Sequence, residues 1–261
     1  MTMNTDSHFD PRRITLEADA LAGRVVAITG ATGGIGQAVA LACARAGAEV
    51  ILLGRNVKKL EGVHAQIDSL TAVHQAPAAL IAPLDLERAV AKDYDELAAA
   101  IESRWGRLDG LVHTAGLLGQ LSAIEHQDVP TWVKVMHVNV TAMFALTQSL
   151  LPLLRASTDA SIICTSSSVG RKGRAFWGAY AVSKFAVEGF MQVLADELEQ
   201  TSVRVNSLNP GRTRTAMRRQ AYPAEDPATL PAPETVVGSY LALLSAASRG
   251  VSGRAFDAFE P

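Results

Sequence analysis

The stretch Arg24-Val-Val-Ala-Ile-Thr-Gly-Ala-Thr-Gly-Gly-Ile-Gly36 decides how the rest of the chain is read. Its first half is a short β-branched run bounded by turn residues, the pattern of a buried strand. Its second half is a glycine-rich turn that leads into Ile35 to Ala46, a segment of helix formers and small residues closed by Gly47. Glycines at a strand-to-helix turn let the backbone approach a pyrophosphate and aim helix N-terminal N–H groups at it. The segment has two phasings, G-x-x-x-G-x-G through Gly30, Gly34 and Gly36, or G-x-x-G-x-x-G through Gly30, Gly33 and Gly36. The glycines do not choose between them. A tight turn with no ligand also uses glycine, but its place after the first strand makes a dinucleotide site the better reading.

The same alternation continues downstream. Strands are expected at Glu49 to Leu53, Ala79 to Pro83, Gly110 to His113, Ser161 to Thr165, Val203 to Leu208 and Ala255 to Ala258. Between them, helices are expected from Asn56 to about Leu70, Asp93 to Trp105, Thr131 to Arg155, Ala179 to Gln200, and Glu234 to about Ala247. Strands alternating with helices at this spacing predict an α/β fold of Rossmann type. That is a doubly wound parallel sheet of about seven strands with helices on both faces. The expected organisation is a polar N-terminal leader, 1–20, and a single dinucleotide-binding and catalytic domain, 21–261.

Composition narrows the function. Apolar residues make up 48% of the 261 positions and charged residues 19%, which suits a soluble globular protein with a sizeable core. A formal net charge of −2 gives no reason to expect a nucleic-acid or anionic-membrane partner. Cys43 and Cys164 are isolated, without metal-ligand spacing, so free thiols in a reducing cytoplasm are expected. Met1 to Ala20 lacks the apolar core of a signal peptide. Val140 to Leu154, the most apolar run, is broken by Thr and Gln and is shorter than a membrane span.

Two further places suggest chemistry. Tyr180 and Lys184 are four residues apart, so on a helix the phenol and the ammonium share a face. A cation beside a phenol favours the phenolate, and this is a way to build an acid/base group that works near neutral pH. A surface pair is the alternative, because a lone Y-x-x-x-K arises readily by chance. At the end of the second strand, where an acidic residue would take a ribose 2′-hydroxyl, the chain has Arg55. An arginine suits a 2′-phosphate, which favours NADP(H) over NAD(H).

With these residues in view, the chain resembles the classical short-chain dehydrogenase/reductases from about Ala22 to Phe256. The resemblance rests on an ordered set of signals. They are T-G-x-x-x-G-x-G at Thr29, Asp85-Leu86, x-x-A-G at Ala115-Gly116, S…Y-x-x-x-K, and P-G-x-x-x-T at Pro210. The wording Leu52-Leu-Gly-Arg-Asn56, Ser166-Ser-Ser-Val-Gly-Arg171 and Asn209-Pro-Gly-Arg-Thr-Arg-Thr-Ala-Met217 is similar to that of a bacterial subgroup, the YciK-type oxidoreductases.

The resemblance implies hydride transfer between a nicotinamide and a small-molecule carbonyl or alcohol. Tyr180 would be the acid/base, and Lys184 would lower its pKa and bind the nicotinamide ribose. Ser167 would hydrogen-bond the substrate oxygen, its spacing to Tyr180 selecting it over Ser166 and Ser168, and Asn139 would hold a relay water. For the cofactor it implies Gly30, Thr32, Gly34, Ile35 and Gly36 at the glycine turn and Arg55 after the second strand. Asp85 and Leu86 would border the adenine, and Ala115 and Gly116 would lie near the adenosine ribose. Pro210, Gly211, Thr213 and Thr215 would flank the carboxamide. Taken singly, each has a bland reading: a buried Asn satisfied by backbone, a strand-end Ser, an exposed Arg.

The chain departs from the family pattern in two places. His113-Thr114 replaces the usual Asn-Asn, which puts a hydrogen bond bracing the central strands in question. The C-terminus lacks the usual Asp-Gly-Gly, which does the same for the last strand. Two basic groups, Arg171/Lys172/Arg174 and Arg212/Arg214/Arg218/Arg219, lie near the expected substrate mouth. They suit an anionic or carrier-bound substrate, and equally solubility or contacts to cofactor phosphates. Residues 218–233 are expected to form a lid, and the apolar Thr131–Arg155 helix suggests a homodimer or homotetramer. Competing functions are an extended-type sugar-nucleotide epimerase or dehydratase, and a redox sensor that binds NADP without turnover. Too little chain follows Pro210 for the first, and the second has no need of Ser, Tyr and Lys together.

Overall fold

The computed structural model describes residues 9–74, 77 and 79–260, so the first part of the leader lies outside the described residues. Seven strands form one parallel sheet: β1 (Val25–Thr29), β2 (Glu49–Gly54), β3 (Leu80–Pro83), β4 (Gly110–His113), β5 (Ala160–Thr165), β6 (Val203–Asn209) and β7 (Ala255–Asp257). Their order is β3-β2-β1-β4-β5-β6-β7, with Val26 opposite Val50 on one side and Gly110 on the other. The central strands are buried on both faces, which is why they read as continuous apolar runs.

Each face carries its own core. On one, α1 (Gly34–Arg45), α2 (Val57–His74) and α8 (Val237–Leu244) pack Val39, Leu60, Tyr240 and Leu243 against Val26 and Ile28. On the other, α3 (Ala91–Trp105), α5 (Ala142–Arg155) and α6 (Gly178–Glu197) pack Ile101, Leu146 and Met191 against Val25 and Ala27. Alternate residues of one strand thus feed opposite layers. The strand order reverses between β1 and β4, and the C-terminal strand ends there leave the crevice in which such sheets bind ligands.

Three departures from the expected elements bear on the site. The long helix starts at α4 (Val129–Met136), where the Asp128 carboxylate accepts from Thr131 N–H at 2.8 Å. It reaches α5 through a π turn, His137–Thr141, that carries Asn139. By length and composition the Val129–Arg155 helix could cross a membrane, yet half of its most apolar 18-residue stretch is buried inside the fold. Between the sixth strand and the last helix, where no element is expected, Ala216–Ala221 forms a short helix, α7, capped by Thr215, whose hydroxyl accepts from Arg218 N–H at 3.1 Å. The last helix is shorter than expected because Pro233 opens a 3₁₀ turn before it and Ser245 caps another after it.

Both departures from the family pattern are compensated. The Thr29 hydroxyl accepts from the N–H groups of Thr114 and Ala115, at 3.2 Å each, and the Thr114 hydroxyl donates back to the Thr29 carbonyl. β1 and β4 are therefore braced without the asparagine. The last strand forms as well, with Asn209 donating to the Asp257 carboxylate at 2.7 Å. The Phe9 ring lies edge-on to Phe256, centroids 5.7 Å apart, so part of the polar leader covers that strand. Cys43 and Cys164 are buried free thiols, both pushed up to about 12 chiefly by burial.

Candidate active site

The crevice is a cleft of about 520 Å³. One end is built by the turn after β1. Gly30 has φ of +66°, and a Cβ there would meet the Ala115 backbone at 2.9 Å. A Cβ on Gly36 would sit 2.2 Å from the Gly30 carbonyl oxygen. Glycine at both positions lets β1, α1 and the segment after β4 close on one another. Gly33 is the N-cap of α1 and Gly34 its first residue, where a Cβ would press on the Thr215 methyl at 3.1 Å. The result is a cradle free of side chains at a helix N-terminus, which fits a pyrophosphate. Among the described residues, the acidic side chains on the cleft wall are Asp85 and Glu87.

The cleft brings together almost every residue expected from the sequence. Thr32 and Ile35 line it with the glycines; Arg55, Asp85 and Leu86 form its far end. Ala115 and Gly116 line it just after β4, and Pro210, Gly211, Thr213 and Thr215 just after β6. Ser167, Tyr180 and Lys184 share the remaining wall, together with Ser166. Arg55 is mostly exposed and 3.6 Å from Glu87, whose other oxygen takes Lys134 at 2.7 Å.

Asn139 does not line the cleft. Its carbonyl accepts from Leu117 N–H at 2.7 Å, and its amide donates to the Leu117 carbonyl and to the Ser183 hydroxyl, each at 2.9 Å. The side chain clamps the segment after Gly116 to α6. Gly116 is the thin partition: a Cβ there would lie 3.4 Å from Asn139 Oδ1 and 3.9 Å from Lys184 Nζ.

Tyr180 and Lys184 are both buried on one face of α6. Lys184 Nζ is 5.6 Å from the Tyr180 ring centroid and donates to the Thr165 carbonyl at 2.7 Å. Burial brings the ammonium down to about 8, against the opposing influence of Cys164 and Glu188. Burial pushes the Tyr180 phenol up to about 12, while a hydrogen bond with Ser167 pulls it back. Desolvation of the phenolate is the larger effect, and what opposes it is the Ser167 hydroxyl, not the Lys184 ammonium expected from the sequence. Of the three serines, Ser167 pairs with the phenol and Ser168 is exposed in a 3₁₀ turn. Ser166 Oγ is buried with no hydrogen-bond partner among the described residues. His113 lies behind this wall with Nε2 2.9 Å from the Thr147 hydroxyl, and burial, helped by Lys184, brings it down to about 3.

The two basic groups part company. Arg171 reaches Glu188 at 3.0 Å, Asp257 at 2.8 Å and the Phe256 carbonyl at 2.8 Å, tying the turn after Ser167 to α6 and β7. Arg212 and Arg218 both bind Glu225, at 2.8 and 2.6 Å, and bring its carboxyl down to about 2. These three fasten the protein to itself. Sequence reasoning missed Trp177, Leu118, Met217 and Ala221, which cover the cleft beside Tyr180. Trp177 alone carried a signal, its position three residues before Tyr180, where it caps the start of the helix that bears the phenol.

A cleft with this cradle and this Ser–Tyr–Lys wall is matched at the level of the family. The short chain dehydrogenase family model covers residues 24–226, and the chain belongs to that family of NAD(P)-dependent oxidoreductases. Among its relatives is the uncharacterized oxidoreductase YciK of Escherichia coli (strain K12), 49% identical over 96% of either chain. A solved structure from Pseudomonas syringae is 53% identical, with a TM-score of 0.91 over 94% of this chain and 98% of the other. One from Escherichia coli CFT073, complexed with NADPH, is 49% identical, with a TM-score of 0.90 over 94% of this chain and 100% of that one.

Proposed function

We propose that this protein uses NADP(H) to interconvert a carbonyl and an alcohol, with Tyr180 as the general acid/base. The observation that carries the reading is the convergence of Ser167, Tyr180 and Lys184 on one wall of a cleft whose other end is a glycine cradle. The NADPH complex of the Escherichia coli CFT073 relative supports the choice of cofactor.

Bound NADPH supplies the hydride; the chain's own residues place the substrate and handle the proton. Ser167 and Tyr180 hold the substrate oxygen between two hydroxyls, as an oxyanion hole does. A phenol held near 12 is protonated through the neutral range, so Tyr180 is poised to donate its proton to a carbonyl oxygen. Lys184, anchored on Thr165, sits beside the phenol and holds the nicotinamide ribose. The Asn139 amide being committed, a relay water is held through that residue's main-chain carbonyl.

The glycine turn with Thr32 and Ile35 takes the pyrophosphate, Asp85 and Leu86 the adenine, and Ala115 and Gly116 the adenosine ribose. Pro210, Gly211, Thr213 and Thr215 take the carboxamide. The Thr213 hydroxyl is spent on the Pro210 carbonyl at 2.8 Å, which leaves the Thr215 hydroxyl as the side-chain donor there. Arg55 turns from Glu87 to the 2′-phosphate and gives NADP(H) its preference over NAD(H).

Residues 21–261 act as one catalytic domain. Exposed Val129, Val133, Phe144, Phe185 and Val193 on α4, α5 and α6 form a face suited to a homodimer or homotetramer. The buried thiols suit the cytoplasm. The test is NADPH oxidation across ketones, aldehydes and 3-oxoacyl thioesters; NADPH binding with turnover of none of them would refute the reading.

A further inference from the structure

Beyond Tyr180 the cleft changes character. Its wall there is Leu118, Trp177, Met217 and Ala221, which are apolar, with Arg218, already paired with Glu225, between the last two, and both acidic side chains on the wall lie at the opposite end, beside Arg55. The Trp177 ring is the hinge of this half. It lies 5.8 Å from the Tyr180 ring on one side and 5.9 Å from the Tyr222 ring on the other. Arg174 stands over the outer edge of that pair, with its guanidinium carbon 5.6 Å from the Trp177 centroid and 5.8 Å from that of Tyr222. Its hydrogen bond is to the Tyr222 hydroxyl, at 2.6 Å.

Arg171, Arg212 and Arg218 each have a carboxylate, whereas Arg174, like Lys172, Arg214 and Arg219, has none among the described residues; Arg174 differs from those three in its seat against Trp177 and Tyr222. Its charge is exposed, held in place by two aromatic faces and one neutral hydroxyl. A guanidinium in that setting keeps its remaining N–H donors for an external acceptor, and its planar fork matches a carboxylate or phosphate oxygen pair. A cation with no acid beside it, on the rim of an apolar wall that also has no acid, attracts an anion and repels another cation.

We infer that Arg174 and Trp177 form the distal subsite of the substrate: the substrate carries a flat or aliphatic body that packs on Trp177, and an anionic group, one indole width from its carbonyl, that binds Arg174. This rests on the carbonyl chemistry proposed above and narrows it to oxo-acids and their phosphate counterparts. Tyr222 holds the guanidinium at the rim, and Arg218, whose guanidinium carbon is 3.8 Å from the Tyr222 ring centroid, fixes Tyr222 through its own pairing with Glu225.

The experiment compares 4-acetylbenzoate with its methyl ester, an uncharged ketone of the same shape, by calorimetric binding to the NADP-loaded protein and by NADPH oxidation. The wild-type protein is expected to bind the carboxylate at least about tenfold more tightly than the ester, and Arg174→Ala to erase the difference by weakening the carboxylate alone. Tyr222→Phe, which removes the hydroxyl and keeps the ring, controls for loosening of the cover; it should weaken carboxylate binding far less than Arg174→Ala, because the guanidinium itself and both aromatic faces remain. Equal affinity for the two probes, no binding of the carboxylate, or a loss in Tyr222→Phe equal to that in Arg174→Ala would each overturn the subsite. If the carboxylate binds through Arg174 while no carbonyl compound oxidises NADPH, the subsite stands and the oxidoreductase reading fails.

Discussion

Arg171 Nε lies 3.0 Å from a carboxylate oxygen of Glu188, one helical turn beyond Lys184. The same guanidinium holds Asp257 and the Phe256 carbonyl, while Glu188 also accepts from the Ser207 hydroxyl at 2.6 Å. One side chain therefore joins the turn after Ser167, the helix that bears Tyr180 and Lys184, and the last strand. Arg171→Ala leaves Glu188 buried with only the serine, and removing one partner of such a pair is costly. We expect a loss of about 2–3 kcal/mol, partly recovered in Arg171→Lys, read from denaturant melts. Unchanged stability in the alanine variant would show the tie to be dispensable.

His113 makes stability depend on acidity. The Thr147 hydroxyl donates its one hydrogen to the Met143 carbonyl at 2.8 Å, so toward His113 it accepts, and the neutral imidazole donates from Nε2. Its pKa falls from the ordinary 6.5 to about 3 on folding. Between those values the unfolded chain holds a proton that the folded one refuses, so stability rises with pH across this window. The contribution is complete above 6.5 and is lost as pH falls toward 3. His113→Leu keeps Thr147 satisfied and should flatten the curve below pH 6.5 by a few kcal/mol, at ~1.4 per pH unit. Parallel curves for the two proteins would contradict the assignment.

The sheet was readable because its strands are buried on both faces, so Val25–Thr29 and Ala160–Thr165 stand out as apolar runs between turns. The site was readable where backbone shape demands a residue type, as at Gly30 and Gly36, or where spacing on α6 joins two groups, as at Tyr180 and Lys184. What escaped depends on long-range packing. Nothing local marks the π turn around Asn139, the capping of α7 by Thr215 or the partners of Arg171, 17 and 86 residues away. The rise of the Tyr180 phenol escaped for the same reason: it comes from burial, which is invisible in the sequence.

The two glycines after Thr32 should differ from Gly36 in tolerance. A Cβ at Gly33 meets a single atom, the Gly30 carbonyl oxygen, at 3.3 Å, and one at Gly34 meets the Thr215 methyl at 3.1 Å. At Gly36 it would overlap the Gly30 oxygen at 2.2 Å and the Thr114 hydroxyl at 2.5 Å. Neither atom can retreat, because Thr114 is tied to Thr29. Gly36→Ala should lower Tm sharply, by roughly 3 kcal/mol or more of stability, and Gly33→Ala by less than about 1. Equal melting of the two variants would contradict the packing.

Arg55 should govern the choice of cofactor through Glu87. The pair is long and exposed, so it holds the guanidinium weakly. Arg55→Ala should raise KM for NADPH about tenfold or more with little change for NADH, the size of one charge-assisted contact to a phosphate. Glu87→Gln, which frees the guanidinium, should lower KM for NADPH. Steady-state kinetics with both cofactors decide the point, and equal effects on the two would remove Arg55 from the phosphate site.

Tyr180→Phe should lower kcat for carbonyl reduction by roughly 10²–10⁴-fold, the range for a lost general acid. NADPH binding, followed by fluorescence titration, should survive, because the ring that packs on Trp177 is kept. The pH profile separates the phenol from its neighbour. Tyr180 keeps its proton to about 12, so a decline in reduction rate as pH rises through about 8 belongs to Lys184, whose ammonium titrates there. Lys184→Met should abolish that limb and lower the rate below it. A wild-type rate that stays flat between pH 7 and 10 would show that the ammonium takes no part in proton supply, and near-normal turnover in Tyr180→Phe would end the acid/base assignment.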